Sequence, residues 1–140
     1  MGATMPDFTR DKDIRQILQN TKTIAVVGLS PKPYRPSHGV ASYLDAQGFD
    51  IIPVNPKHDN ILGKKCYPDL SAIEQSIDTV NVFRNPNYVM PIVEAAIAIG
   101  APHLWLQEQV INNTAAQTAL DAGMVVVMDR CMLKEHQRFC

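Results

Sequence analysis

The sequence predicts a doubly wound α/β fold, a parallel sheet held between two layers of helices. Two observations carry this. Short apolar runs rich in Val and Ile alternate with helical patterns of about ten residues, the signature of βαβ units. Each apolar run also ends in a polar cluster, and a parallel sheet gathers such clusters along the carboxyl edge of its strands, where doubly wound folds hold their ligands.

Taken in order, Met1 to Thr9 shows no periodic pattern and is expected to be mobile. Asp11 to Asn20 carries Ile14, Ile17 and Leu18 at helical spacing. Lys22 to Gly28 reads as the first strand, apolar on both faces as a buried parallel strand requires. Ser37 to Gln47 is a crossover helix with Val40, Tyr43 and Leu44 inward, closed by Gly48. Phe49 to Val54 is the second strand and Asn55-Pro56-Lys57 ends it. Lys64 to Tyr67 reads as a very short edge strand, and Pro68 to Ile73 as a brief helix. Thr79 to Phe83 is a strand. Tyr88 to Ile99 is a helix with Val89, Ile92, Val93, Ala96 and Ile97 on its inner face. Pro102 to Leu106 and Met124 to Met128 are strands flanking a helix over Asn113 to Ala122, and Met132 to Phe139 is the final helix. Right-handed crossovers then give the strand order 3-2-1-4-5-6, with the third strand vestigial.

At 140 residues, 46% of them apolar, the chain suits one domain with a real core. A net charge of −1 opposes a nucleic-acid surface, which needs a basic stripe. No apolar run reaches the roughly 20 residues that cross a bilayer, and the first ten residues lack the apolar segment of a signal peptide. Cys66, Cys131 and Cys140 are odd in number and lack metal-ligand spacing, so reduced thiols in a cytoplasmic protein are expected. Nothing in this pattern opposes a homo-oligomer.

The chemistry concentrates after the first strand. Gly28, Leu29 and Ser30 lead into Lys32, Arg35, Pro36 and Ser37, where a helix begins. A glycine turn, a basic and hydroxyl-bearing loop and a helix N-terminus make the layout of a phosphate site. The plainer reading is a tight turn with surface cations. Only Gly28 and Gly39 are present, so this is not the GxGxxG fingerprint of dinucleotide sites. At the end of the second strand an NAD site places an acid on the ribose hydroxyls. Here Val54-Asn55-Pro56-Lys57 offers no acid and a cation instead. That disfavours NAD and suits a nucleotide with an extra ribose phosphate, NADP or coenzyme A; otherwise Asn55-Pro56 merely turns the chain.

Phe83, Arg84 and Asn85 end the next strand and are placed to flank an adenine, by apolar contact or guanidinium stacking. Core packing and a solvated charge are the ordinary alternatives for the first two. Trp105 reads as core rather than a ligand contact, while Gln107 and Glu108 follow it at the strand end, placed where a pantetheine or substrate group would pass. Cys131 stands after Asp129-Arg130 at the start of the last helix, as a small buried residue or as a thiol made reactive by its neighbours. In the second case it forms a mixed disulfide with a ligand thiol, seen as a mass gain that dithiothreitol reverses. No catalytic triad, carboxylate pair or metal cluster emerges from the residues.

Several blocks, taken together and in order, resemble the family of small stand-alone CoA-binding proteins. They are Val27-Gly28-Leu29-Ser30 with Lys32-Pro33 and Arg35-Pro36-Ser37, Ile52 to Pro56, Gly63 and Tyr67, Val80 to Arg84, Trp105-Leu106-Gln107, Ala122-Gly123, and Val126 to Cys131. These proteins are similar to the CoA-binding domain of the succinyl-CoA synthetase α subunit. The resemblance covers Lys22 to Phe139 and implies a Rossmann-like fold with coenzyme A or an acyl-CoA at the strand ends. It implies that Gly28, Ser30, Lys32 and Arg35 hold the diphosphate. Asn55, Pro56 and Lys57 would border the adenosine and its ribose phosphate, and Phe83, Arg84 and Asn85 would form the opposite wall. One departure is Gln109, where the family carries glycine before Val110; a bulky residue there narrows the pantetheine path or reshapes the loop. The chain lacks the synthetase's ligase and nucleotide-grasp domains, so the expectation is a binding module, a carrier, sensor or regulator. The alternatives are a small NADP-dependent oxidoreductase or the Cys131 thiol-redox protein.

Overall fold

The computed structural model describes residues 6–140. Five parallel strands form the sheet: β1 (Thr23–Val27), β2 (Asp50–Val54), β5 (Thr79–Val82), β6 (His103–Leu106) and β7 (Val125–Met128), in the order β2-β1-β5-β6-β7. Between β2 and β5 lies a two-stranded antiparallel ribbon, β3 (Asn60–Ile61) and β4 (Lys64–Lys65). The expected third strand survives as a single parallel bridge from Tyr67 to Val54 at the β2 edge. Five α-helices complete the layers: α1 (Asp11–Asn20), α2 (Pro36–Ala46), α3 (Val89–Ala98), α4 (Asn113–Asp121) and α5 (Met132–Phe139).

Alternation along each strand splits the core. Ala25, Val80, Val82, Leu104 and Leu106 face α3 and α4, while Ile24, Val26, Trp105 and Val127 face α1, α2 and α5. The brief helix expected at 68–73 is one 3-10 turn, Leu70–Ala72, capped where the Asp69 carboxylate accepts the Ala72 N–H at 3.1 Å. A second 3-10 turn, Pro86–Tyr88, precedes α3, because Pro86 fits a first turn.

Of the N-terminal segment expected to be mobile, residues 1–5 lie outside the described residues, and Phe8 packs on the core. Its side chain is buried in the α3–α4 face of the core, and its carbonyl accepts the Met128 N–H at 2.9 Å. An apolar ring that finds a core to enter is held by burial, whatever its neighbours' propensity.

At the amino end of the strands, His103 is buried in a hydroxyl chain. Its Nδ1 lies 3.2 Å from Thr79 Oγ1, which lies 2.6 Å from Thr21 Oγ1, and Thr21 donates to the Ile17 carbonyl at 2.5 Å. Each hydroxyl has an acceptor when Nδ1–H donates to Thr79 and Thr79 donates to Thr21, which assigns the neutral ring's proton to Nδ1. Burial pushes this imidazole below its ordinary value, against the opposing pull of Asp78. A lowered folded value means that the unfolded chain binds the proton more readily. His103 therefore contributes its full stability above the ordinary histidine range and loses it as pH falls through the folded value. The urea midpoint is expected to drop between pH 7.5 and 5.5, and a His103→Gln variant to flatten that slope. Equal slopes in both proteins would remove His103 as the cause.

Candidate functional site

Four main-chain hydrogen bonds bring the strand ends into one rim. Gly28 N–H donates to Val54 O at 2.9 Å, Phe83 N–H to Val27 O at 2.8 Å, Gln107 N–H to Val82 O at 3.3 Å and Arg130 N–H to Leu106 O at 3.4 Å. The chain leaves β1 towards β2 on one side and returns through β5 on the other. The rim therefore opens at the switch point, where doubly wound sheets hold ligands.

A cleft of about 1050 Å³ lies there. From the β1–α2 connection come Gly28, Ser30, Lys32, Arg35, Pro36 and Ser37, and from the end of β2 comes Asn55. Phe83, Arg84 and Asn85 follow β5, Gln107 follows β6, and Cys131 opens α5. A side cavity of about 370 Å³ adjoins it, sharing Gly28, Asn55 and Arg84 and adding Val54, Pro56, Leu70, Tyr88 and Ile92. Of the residues singled out from the sequence, two take other places. Leu29 is fully buried in the core and reaches the site only through its carbonyl, which accepts Asn55 Nδ2–H at 3.0 Å. Lys57 is exposed and lines neither cavity, whereas His58 beside it lines the cleft.

The local structure explains how the loop is built. Gly28 has φ +86, and a Cβ there would run into the Phe83 carbonyl oxygen, so only glycine lets β1 and β5 close this approach. Pro36 occupies the first turn of α2, where no amide donor is needed. Ser37 Oγ is buried and accepts the Ser30 N–H at 3.0 Å, and Ser30 Oγ accepts the Lys32 N–H at 3.1 Å. These bonds fold the basic loop back over the helix start. Asn55 binds Leu29 O and, through Oδ1, the Lys57 N–H at 2.9 Å. The position that is acidic in NAD sites therefore serves here to tie two loops together.

The Arg35 guanidinium sits 5.7 Å from the Tyr34 ring centre, and that of Arg84 sits 4.8 Å from Tyr88. Both arginines are exposed, as a contact to a solvent-borne anion requires. Cys131 is buried and also lines the cleft, so the packing and ligand-facing readings meet in one residue. Gln109 has φ +68 and its N–H donates to Asp129 Oδ1 at 2.8 Å. It holds a left-handed conformation that glycine adopts freely and that a larger residue takes at some cost. Sequence reasoning left out His58 and Asp129, and it gave Ile92 to the inner face of its helix. Ile92 packs against the core, half-buried, and also lines the side cavity. Among the described residues, no group of His, Cys, Asp and Glu side chains is arranged to hold a metal ion, and no helix is long and apolar enough to cross a membrane.

The model of the CoA binding domain family matches residues 22–137. The chain belongs to that family. It is 41% identical over 124 residues to the uncharacterized protein YneT of Bacillus subtilis, covering 89% of this chain and 92% of that protein. A solved structure of a hypothetical protein from Pyrococcus horikoshii OT3 superposes with a TM-score of 0.90 at 44% identity, covering 99% of this chain and 98% of that one. An ADP-forming acetate–CoA ligase of Methanocaldococcus jannaschii is 33% identical over 84 residues, which are 60% of this chain and 12% of the ligase. Membership supports a CoA-binding role and a Rossmann-like fold, and the chain spans only a small part of such a ligase.

Proposed function

We propose that this chain binds coenzyme A, free or acylated, across the carboxyl ends of its strands, as a carrier, sensor or regulator with no reaction of its own. The observation that carries this reading is the distribution of charge along the cleft. Every cation that lines it, Lys32, Arg35 and Arg84, follows β1 or β5, and His58 follows β2. A diphosphate fits the β1–α2 loop, where Gly28 leaves room for close approach and Arg35 and Lys32 supply a fork and a point charge. The adenosine then lies towards the β2 end and the apolar side cavity, with His58 near its ribose phosphate. The pantetheine arm runs towards β6 and β7. From β1, where the diphosphate lies, to β7 there are three inter-strand steps, about 14 Å at ~4.8 Å each, the span that the arm crosses.

Calorimetry tests this directly. Coenzyme A is expected to bind, and dephospho-CoA to bind more weakly. Arg35→Ala is expected to weaken coenzyme A binding by about 1–3 kcal/mol, the worth of a charge-assisted contact. An unchanged affinity in that variant would remove Arg35 from the site. Binding of NADP with no binding of coenzyme A would overturn the ligand and leave the fold.

A further inference from the structure

The β6–β7 end of the cleft differs in chemistry from the rest. It is lined by Gln107, Glu108, Gln109, Val110, Asp129 and Cys131, with no cation among them. Gln107 is buried, and its Oε1 accepts the Met132 N–H at 3.1 Å, which fixes the orientation of its amide. Its Nε2 has no partner among the described residues, and it is a neutral donor suited to a carbonyl oxygen. Asp129 has φ +61 and is tethered through Oδ1 to Gln109 N–H. The neighbouring cations are already engaged. Lys134 Nζ lies 3.1 and 3.2 Å from the two Glu108 oxygens, and that carboxylate holds the lysine above its ordinary value. Arg130 donates to the Asp129 carbonyl at 2.7 Å, and its Nε is 4.0 Å from Glu135.

We infer that this end of the cleft selects uncharged acyl groups and rejects those that end in a carboxylate. The inference rests on the coenzyme A reading, which brings the thiol end of the pantetheine arm here. A free thiol or a neutral thioester meets the Gln107 amide and the Val110 side chain without conflict. A dicarboxylic acyl group brings a second anion against Asp129, whose carboxylate has no ion-pair partner among the described residues, with no lining cation to receive it, and like charges at close range repel.

The test compares butyryl-CoA with succinyl-CoA, which match in chain length and differ in the terminal charge. Wild-type protein is expected to bind butyryl-CoA at least tenfold more tightly. Asp129→Asn is expected to bring that ratio below threefold; asparagine keeps the oxygen that accepts Gln109 N–H, tolerates the left-handed backbone and leaves the Lys134–Glu108 pair intact. Raising the salt on wild-type protein is expected to shrink the ratio in the same direction through screening, without relying on any variant. Succinyl-CoA binding as tightly as butyryl-CoA would overturn the selectivity while coenzyme A binding stands. So would a tenfold ratio that survives both the Asp129→Asn substitution and high salt. Absence of binding by coenzyme A itself would overturn both readings together.

Discussion

Gly28→Ala is expected to destabilise the chain by about 2–5 kcal/mol and to abolish tight coenzyme A binding. Two costs add. A left-handed φ of +86 costs an L-residue about 1–2 kcal/mol. The new methyl group would also meet the Phe83 carbonyl oxygen, and forcing atoms into a packed site costs about 1–3 kcal/mol more. Relief comes only if β1 and the Phe83–Arg84 corner move apart, which opens the floor beneath the diphosphate. Gly48→Ala serves as the control for the first cost alone. Gly48 has φ +98, and a methyl group added there would meet nothing within 4 Å, so only the backbone cost of about 1–2 kcal/mol applies. Urea unfolding of both variants, with calorimetry on coenzyme A, measures the difference. Equal destabilisation would mean that the Phe83 carbonyl yields freely and that the close approach is not what requires glycine.

Trp105→Ala is expected to cost about 3–5 kcal/mol, against a typical total of about 5–15 kcal/mol for a domain. Trp105 is fully buried on the sheet face covered by α1, α2 and α5. Its Nε1–H donates to the Arg130 carbonyl at 2.8 Å, joining β6 to the turn that precedes α5. Two residues on, Gln107 accepts the first N–H of α5. One strand thus holds the start of α5 at two points, and the cavity left by alanine would loosen the turn that carries Asp129 and Cys131. Trp105→Phe fills most of the volume but loses the bond to the Arg130 carbonyl, so it is expected to fall between wild type and alanine. A loss under about 1 kcal/mol for Trp105→Ala would mean that neighbouring side chains repack into the space and that Trp105 does not organise this end of the cleft.

The fold was legible because its signals are local. The apolar runs at β1, β5 and β7 and the stripe Ile14-Ile17-Leu18 each settle an element within a few residues, and the order of elements then restricts the topology. Phe8 was not legible: a lone aromatic in a polar segment carries no period, and only the assembled sheet offers it a place. The basic loop after Gly28 was legible for the same local reason as the strands, since its residues are consecutive. The side cavity was not. Leu70 and Ile92 lie far apart in sequence and meet only through the packing of the 3-10 turn beside α3.

Gln109 marks the boundary between the two kinds of information. The sequence shows a bulky residue where the family has glycine, and by itself that leaves open whether the loop changes. The structure gives Gln109 a left-handed backbone and anchors its N–H on Asp129, a residue 20 positions along the chain. By itself the sequence determined the alternation of strands and helices, the glycine turn, and the absence of an acid after β2, because propensity, periodicity and side-chain type act over a few residues. The tertiary structure decided which side chains share the cleft, that its cations lie at one end and its carboxylates at the other, and that Cys131 lines it. Those depend on distances between residues that only the closed sheet brings together.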